Sequence, residues 1–160
     1  MPELHIRPAT AADAETVARL AAELAQSFPF SQAAFDRSYP AVLAAEDTCL
    51  LLAEDPGPVG YLLGFQHPTF FANGPVGWVE EVLVRPEYRG RGAGRALMTA
   101  FEQQAAARGG RLVALATRRA AAFYRALGYE ESASYFRKVL PGTGSASGSA
   151  PGSPAAGTAG

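Results

Sequence analysis

Two short stretches of this chain hold residues that could do chemistry. The first runs Val84-Arg85-Pro86-Glu87-Tyr88-Arg89-Gly90-Arg91-Gly92-Ala93-Gly94-Arg95-Ala96-Leu97-Met98: an apolar strand end, an arginine- and glycine-rich turn, then a helix. Glycine permits positive φ and close approach of backbone to a ligand. The helix start offers unpaired N–H groups and the positive end of its dipole. Such a turn is built for a phosphate or pyrophosphate, and Arg89 and Arg91 add charge of the right sign. The second stretch is Gly77-Trp78-Val79-Glu80-Glu81-Val82-Leu83-Val84, where two carboxylates interrupt an apolar strand. Charges there are costly unless they reach a cleft or a partner. Strand alternation sends neighbours to opposite faces, so Glu80 is expected with Val82 and Val84, and Glu81 with Leu83. The plain alternative is one solvated glutamate and one paired with an arginine.

Four readings of the turn compete. A P-loop needs Gly-Lys-Ser/Thr, but Gly94 is followed by Arg95 and Ala96. A dinucleotide fingerprint needs Gly-x-Gly-x-x-Gly and a later acidic residue. The spacing here is Gly-x-Gly-x-Gly, and the next strand ends in Ala116-Thr117-Arg118 without a carboxylate. The acyl-CoA turn, Arg/Gln-x-x-Gly-x-Gly/Ala, is met by Arg89 to Gly94. A connection without any ligand is the fourth, although three glycines so close together cost backbone entropy.

The elements that must position these groups follow from pattern and punctuation. Leu4 to Arg7 reads as a strand ending at Pro8. Thr10-Ala11-Ala12-Asp13 resembles a capping box, and the next helix sets Val17, Leu20, Ala21 and Leu24 on one face and ends near Gln26. A second helix is expected over Gln32 to Glu46, with Pro40 as a point of interruption. Cys49 to Glu54 and Val59 to Gln66 form an antiparallel pair about Asp55-Pro56-Gly57-Pro58. Gly77 to Val84 is the next strand, Gly92 to Arg108 a helix stopped by Gly109-Gly110, Arg111 to Ala116 a buried strand, and Arg119 to Leu127 a helix ended by Gly128. Tyr129 to Ser132 and Ser134 to Leu140 are expected as two closing strands. The order predicts an α+β fold: a mixed sheet of about seven strands with helices on both faces.

Between His5 and Leu140 the chain resembles the GNAT superfamily of acyl-CoA-dependent N-acetyltransferases. His5-Ile6-Arg7-Pro8-Ala9-Thr10 is similar to its first strand and helix entry. Val82 to Gly94 resembles its cofactor motif, and Ala120-Ala121-Ala122-Phe123-Tyr124-Arg125-Ala126-Leu127-Gly128-Tyr129 its second motif, Ala-x-x-φ-Tyr-x-x-Leu-Gly-Phe/Tyr. Tyr135 to Leu140 resembles its closing strand. The resemblance implies acetyl-CoA as co-substrate, a primary amine as acceptor, direct transfer and no metal. It implies cofactor contacts from Val82, Leu83, Val84, Arg89, Gly90, Arg91, Gly92, Ala93, Gly94, Arg95 and Thr117, the last standing where the family often has Asn. It makes Glu80 the first candidate base, working through water, with Glu81 close behind, and Tyr124 the candidate general acid; helical periodicity alone makes Tyr124 a core aromatic. It puts the acceptor cleft among Ser27 to Phe30, Phe35, Asp36, Tyr39, Phe70, Phe71 and Tyr129 to Tyr135. Dimers are common in the family. The rival readings are a non-catalytic acyl-CoA-binding module of the same fold and a nucleotide-binding protein.

Composition agrees with one domain of ordinary size. The 160 residues carry a net charge of −1, which gives no global basic field for nucleic acid. Cys49 is the sole cysteine; it excludes an intramolecular disulfide and, set beside three leucines, reads as a buried apolar group. His5 and His67 are too few for a metal site. Met1-Pro2-Glu3-Leu4 lacks the pattern of a signal peptide, and no apolar run is long enough to cross a membrane, so a cytoplasmic location is expected. Residues 1–140 read as the domain. Residues 141–160 hold only Pro, Gly, Ser, Thr and Ala, a composition that cannot bury enough apolar area to order itself, and they read as a flexible tail.

Overall fold

A computed structural model describes residues 3–25 and 27–142. Five strands form one sheet in the order β1-β2-β3-β4-β5: β1 (His5–Pro8), β2 (Thr48–Glu54), β3 (Pro58–His67), β4 (Val76–Val84) and β5 (Leu112–Leu115). The first three pairings are antiparallel and β4–β5 is parallel, so the sheet is mixed as expected. Helices α1 (Ala14–Leu24), α2 (Gln32–Ala44), α3 (Ala93–Ala107) and α4 (Ala121–Ala126) complete the fold. The sheet holds five strands, not seven: among the described residues Tyr129 to Gly142 form no ladder. β-rich composition makes a strand only where a partner edge of fitting length exists. β5 is four residues long, and Phe136 and Leu140 stay exposed. β5 is also half-exposed rather than buried, with Leu112 at 41%.

Apolar periodicity sorts the side chains into two layers. Val17, Leu20 and Leu24 of α1 bury with Tyr39 of α2 against Leu50, Leu52, Tyr61 and Leu83. On the other face Leu97, Met98 and Phe101 of α3 and Tyr124 of α4 pack on Leu51, Leu62, Val79, Val82 and Val84. Phe101 lies so close over the sheet that a Cβ on Gly64 would come within 2.5 Å of its ring. Pro40 lies within an unbroken α2, and the Ser31 hydroxyl caps its start by accepting from the Ala34 N–H at 3.2 Å. The entry to α1 is held by Asp13, which accepts from the Thr10 N–H at 2.8 Å and from Arg7 at 2.8 Å, while Arg7 also reaches Glu54 at 2.9 Å. α1 itself stops at Leu24; Gln26, its expected end, lies outside the described residues, as does the tail from residue 143 on.

Two features of β4 bear on the chemistry. Its register against β3 slips by one residue: Leu63 faces Glu81 and Gly64 faces Val79, so Glu80 is the extra residue of a bulge. Its parallel pairing with β5 covers only Val76 to Val79. From Glu80 to Val84, β4 runs on with no strand paired to that edge among the described residues.

Candidate functional site

The turn after β4 adopts the geometry its glycines permit. Gly90 and Gly92 have φ of 75° and 90°, the left-handed region open to glycine at little cost. A Cβ at either would meet nothing within 4 Å, so the requirement is one of backbone conformation rather than room. Gly92 caps α3. The first helical bond runs from the Ala96 N–H to the Gly92 carbonyl at 2.9 Å, which leaves the N–H groups of Ala93, Gly94 and Arg95 ahead of the ladder. Arg89 ties the turn to the strand by donating from Nε to the Val84 carbonyl at 3.0 Å. Arg91 lies over the Tyr88 ring, 5.4 Å from its centroid, and its head and that of Arg95 stay exposed. Backbone donors, a helix dipole and arginines thus share one turn, the combination an anionic phosphate group calls for.

The bulge changes the expected placement of the glutamates. Val82 and Val84 enter the α3 layer, and so does Val79, but Glu80 does not join them. Its carboxylate accepts from the Trp78 indole N–H at 2.7 Å, and Trp78 alternates away from the α3 layer between Gly77 and Val79. Glu80 is exposed. Glu81 accepts from the Tyr61 phenol at 3.1 Å, and Tyr61 belongs to the α1–α2 layer. Both carboxylates therefore lie on the side away from α3, because one extra residue breaks the period of two. Burial is the main cause that pushes the Glu81 carboxyl above its ordinary range; the Tyr61 bond opposes it and the charge of Glu80 adds to it.

Tyr124 lies under the turn. It is 3% exposed and shares one buried cluster with Val82, Val84, Ala93 and Ala120. Among the described residues its phenol oxygen has no hydrogen-bond partner, and burial pushes its pKa up to about 12. Buried hydroxyls are ordinarily bonded, so a partnerless one facing this cluster fits a ligand. Tyr129 steadies it: the Tyr129 N–H donates to the Tyr124 carbonyl at 3.0 Å and its phenol to Glu102 on α3 at 2.6 Å. The Thr117 hydroxyl accepts from the Ala120 N–H at 3.1 Å, tying the approach to α4. Tyr124 and Glu81 lie on opposite faces of the sheet. Between them β4 runs on past Val79 with no strand on the β5 edge among the described residues.

The aromatics expected around an acceptor divide. Tyr39 is buried and donates to the Thr10 carbonyl at 2.6 Å, so it serves the core and not a cleft. Phe30 and Phe35 pair at 5.9 Å and line a cavity of about 580 Å³ with Glu15, Arg19 and Asp36, Phe35 also stacking on Tyr39. Phe70 and Phe71 are exposed in the β3–β4 loop. Tyr135 stacks on Trp78 at 6.4 Å, which brings it beside Glu80. Sequence reasoning missed Trp78 and Tyr61. The i, i+2 spacing of Trp78 and Glu80 was a usable signal, whereas nothing local marks Tyr61. Cys49 is buried, as expected, and burial lifts its thiol to about 11. Among the described residues no cluster of His, Cys, Asp and Glu could hold a metal, and no helix is long and apolar enough to cross a membrane.

The model of the acetyltransferase (GNAT) family matches residues 15–129. An acetyltransferase from Trypanosoma brucei is similar in structure at 25% identity, over 86% of this chain and all of that one, with a TM-score of 0.74. AAC(6')-Iy in complex with the bisubstrate analogue CoA-S-monomethyl-acetylneamine is similar at 22% identity, over 86% and 99%, with a TM-score of 0.73. Glucosamine-6-phosphate N-acetyltransferase from Arabidopsis thaliana is similar at 18% identity, over 87% and 99%, with a TM-score of 0.76. No curated protein matches the chain.

Proposed function

This chain belongs to the GNAT acetyltransferase family, and from that premise we propose that it moves an acetyl group from acetyl-CoA to a primary amine by direct transfer. The observation that carries this reading is the buried, partnerless phenol of Tyr124 beneath the glycine turn. Acetyl-CoA, when bound, supplies an activated acetyl carbonyl. The N–H groups of Ala93, Gly94 and Arg95 hold its pyrophosphate with Arg89, Gly90, Arg91 and Gly92. The edge of Val82, Leu83 and Val84 that carries no strand receives the pantetheine amides as a further strand would, with the Val84 carbonyl already given to Arg89, and one N–H there meets the developing oxyanion. Thr117 meets the same arm from the approach to α4.

The acceptor ammonium must lose a proton before its lone pair can attack the carbonyl carbon. Glu81 or Glu80 takes that proton, through water. Burial and the raised proton affinity of Glu81 support it over Glu80, since a base works best with a pKa nearer the operating pH. As the C–S bond breaks, Tyr124 donates its phenolic proton to the departing sulfur and is refilled from solvent. The acceptor enters from the side of Glu80, Glu81, Trp78 and Tyr135, where carboxylates and aromatic faces suit a cationic amine. Two structural neighbours are named for aminated sugars or an analogue of one, which makes amino sugars the first acceptors to try. The protein is read as acting in the cytoplasm, and a dimer, common in the family, is the assembly to test for.

The test is a panel of amines (amino sugars, polyamines, peptide N-termini and lysine peptides) incubated with acetyl-CoA and read by release of free thiol. At least one amine should turn over, and Glu81→Gln should abolish the acid limb of kcat/KM. Tight CoA binding with no turnover on any amine would overturn the enzymatic reading in favour of a binding module. Binding of ATP or NAD in preference to CoA would overturn both.

A further inference from the structure

We infer that Tyr61 is a positioning residue that fixes the Glu81 carboxylate and sets the pH above which the protein works. The inference rests on the proposed reading of Glu81 as base. Tyr61 on β3 pairs with Leu83, while Glu81 pairs with Leu63, so Tyr61 and Glu81 are diagonal neighbours on one face, within reach for a long side chain. Tyr61 is 1% exposed and held on all sides by apolar groups. Its phenol donates to Oε1 of Glu81 at 3.1 Å. A ring this tightly packed has one place for its hydroxyl, and the carboxylate it meets loses rotational freedom.

The surroundings of Glu81 leave few other influences. Among the described residues the titratable groups that face it are Tyr61 and Glu80. α1 and α2 bring Val17, Leu20 and Leu24 to that layer, and Tyr39, whose phenol is already given to the Thr10 carbonyl. A hydrogen bond from Tyr61 favours the charged carboxylate, whereas burial and the charge of Glu80 favour the protonated form. Removing the phenol oxygen takes away the contact that, among the described residues, favours the ionised form of Glu81. The carboxyl then titrates at higher pH, and the amine keeps its proton over a wider range.

The experiment follows the Glu81 carboxyl carbon by ¹³C NMR across pH in the full chain, in wild-type protein and Tyr61→Phe, with Glu81→Gln to assign the signal. Tyr61→Phe should move the titration upward by about one pH unit, near tenfold in the ionised fraction. The acid limb of kcat/KM with an accepted amine should move with it, while KM for acetyl-CoA stays within about twofold. An unmoved titration in folded Tyr61→Phe overturns the inference and leaves Glu81 as base untouched. Loss of kcat without movement of the limb overturns it equally. An acid limb that survives Glu81→Gln instead refutes the base assignment, and the positioning role with it. If Tyr61→Phe does not fold, the Tyr61 hydroxyl proton is read in wild-type protein. Its shift must follow the Glu81 titration, and independence of the two overturns the inference.

Discussion

Tyr124→Phe should make the ligand-free protein more stable and the enzyme slower. The phenol oxygen is buried and bonds to no group among the described residues, and the ring around it is fixed by Phe123 at 5.0 Å and Tyr129 at 5.9 Å. A buried hydroxyl without a partner costs about 1–3 kcal/mol relative to its hydrated state. Phenylalanine keeps the ring contacts and loses that cost, less a small term for the space left. The expected gain is about 1–2 kcal/mol, or about 3–8 °C in Tm for a domain of this size. If the phenol acts only on the departing sulfur, the stabilisation from saturating CoA, about 2.7 kcal/mol at a hundredfold excess over Kd, should be equal in both proteins. Turnover should fall by about 10²–10⁴. Thermal melts with and without CoA and initial rates on one accepted amine measure all three. A lower Tm in the variant would refute the reasoning, because it would mean that the hydroxyl already has a favourable partner. Unchanged turnover would refute the role of acid.

Two further expectations rest on the fold. Gly92→Ala places a side chain at φ 90° with nothing within 4 Å of its Cβ, so its cost is conformational, about 1–2 kcal/mol; Tm should fall by about 3–8 °C, and CoA affinity about tenfold as the turn relaxes. Asp13→Asn removes an acceptor held by Arg7, whose guanidinium keeps the Asp13 carboxyl well below the usual carboxylate range. The depressed group lends stability above its unfolded pKa near 4 and loses it as pH falls through the folded value. The variant should therefore be less stable by about 1.5–3 kcal/mol at pH 7, and denaturant melts of the two proteins should converge as pH drops below about 3.

Much of the arrangement was legible because it is local. The positive φ of Gly90 and Gly92, the start of α3 at Ala93 and the place of Tyr124 one turn before Gly128 all follow from short-range chemistry. The two layers were legible in the periodicity of α1 and α3. What failed was long-range. The fate of Tyr129 to Leu140 depends on an edge β5 does not extend far enough to offer. The side taken by Glu80 depends on a slip against Leu63 and Gly64 that no residue of β4 announces. Tyr61 lies twenty positions from Glu81, and only strand pairing brings them together.

The slip in β4 has an arithmetic side. Without Glu80 the strand would alternate cleanly: Gly77 and Val79 toward α3, Trp78 and Glu81 away, Val82 toward, Leu83 away, Val84 toward. The packing of both layers is therefore indifferent to Glu80, and the ladder carries it as a surplus member. Val79, the last residue of β4 to pair with β5, immediately precedes it. A phase shift of one residue thus coincides with the parting of two strands. Loss of that one residue would restore the period of two and leave the inward positions of both layers as they are. The slip that begins the unpaired run of β4 rests on a residue the hydrophobic core does not need.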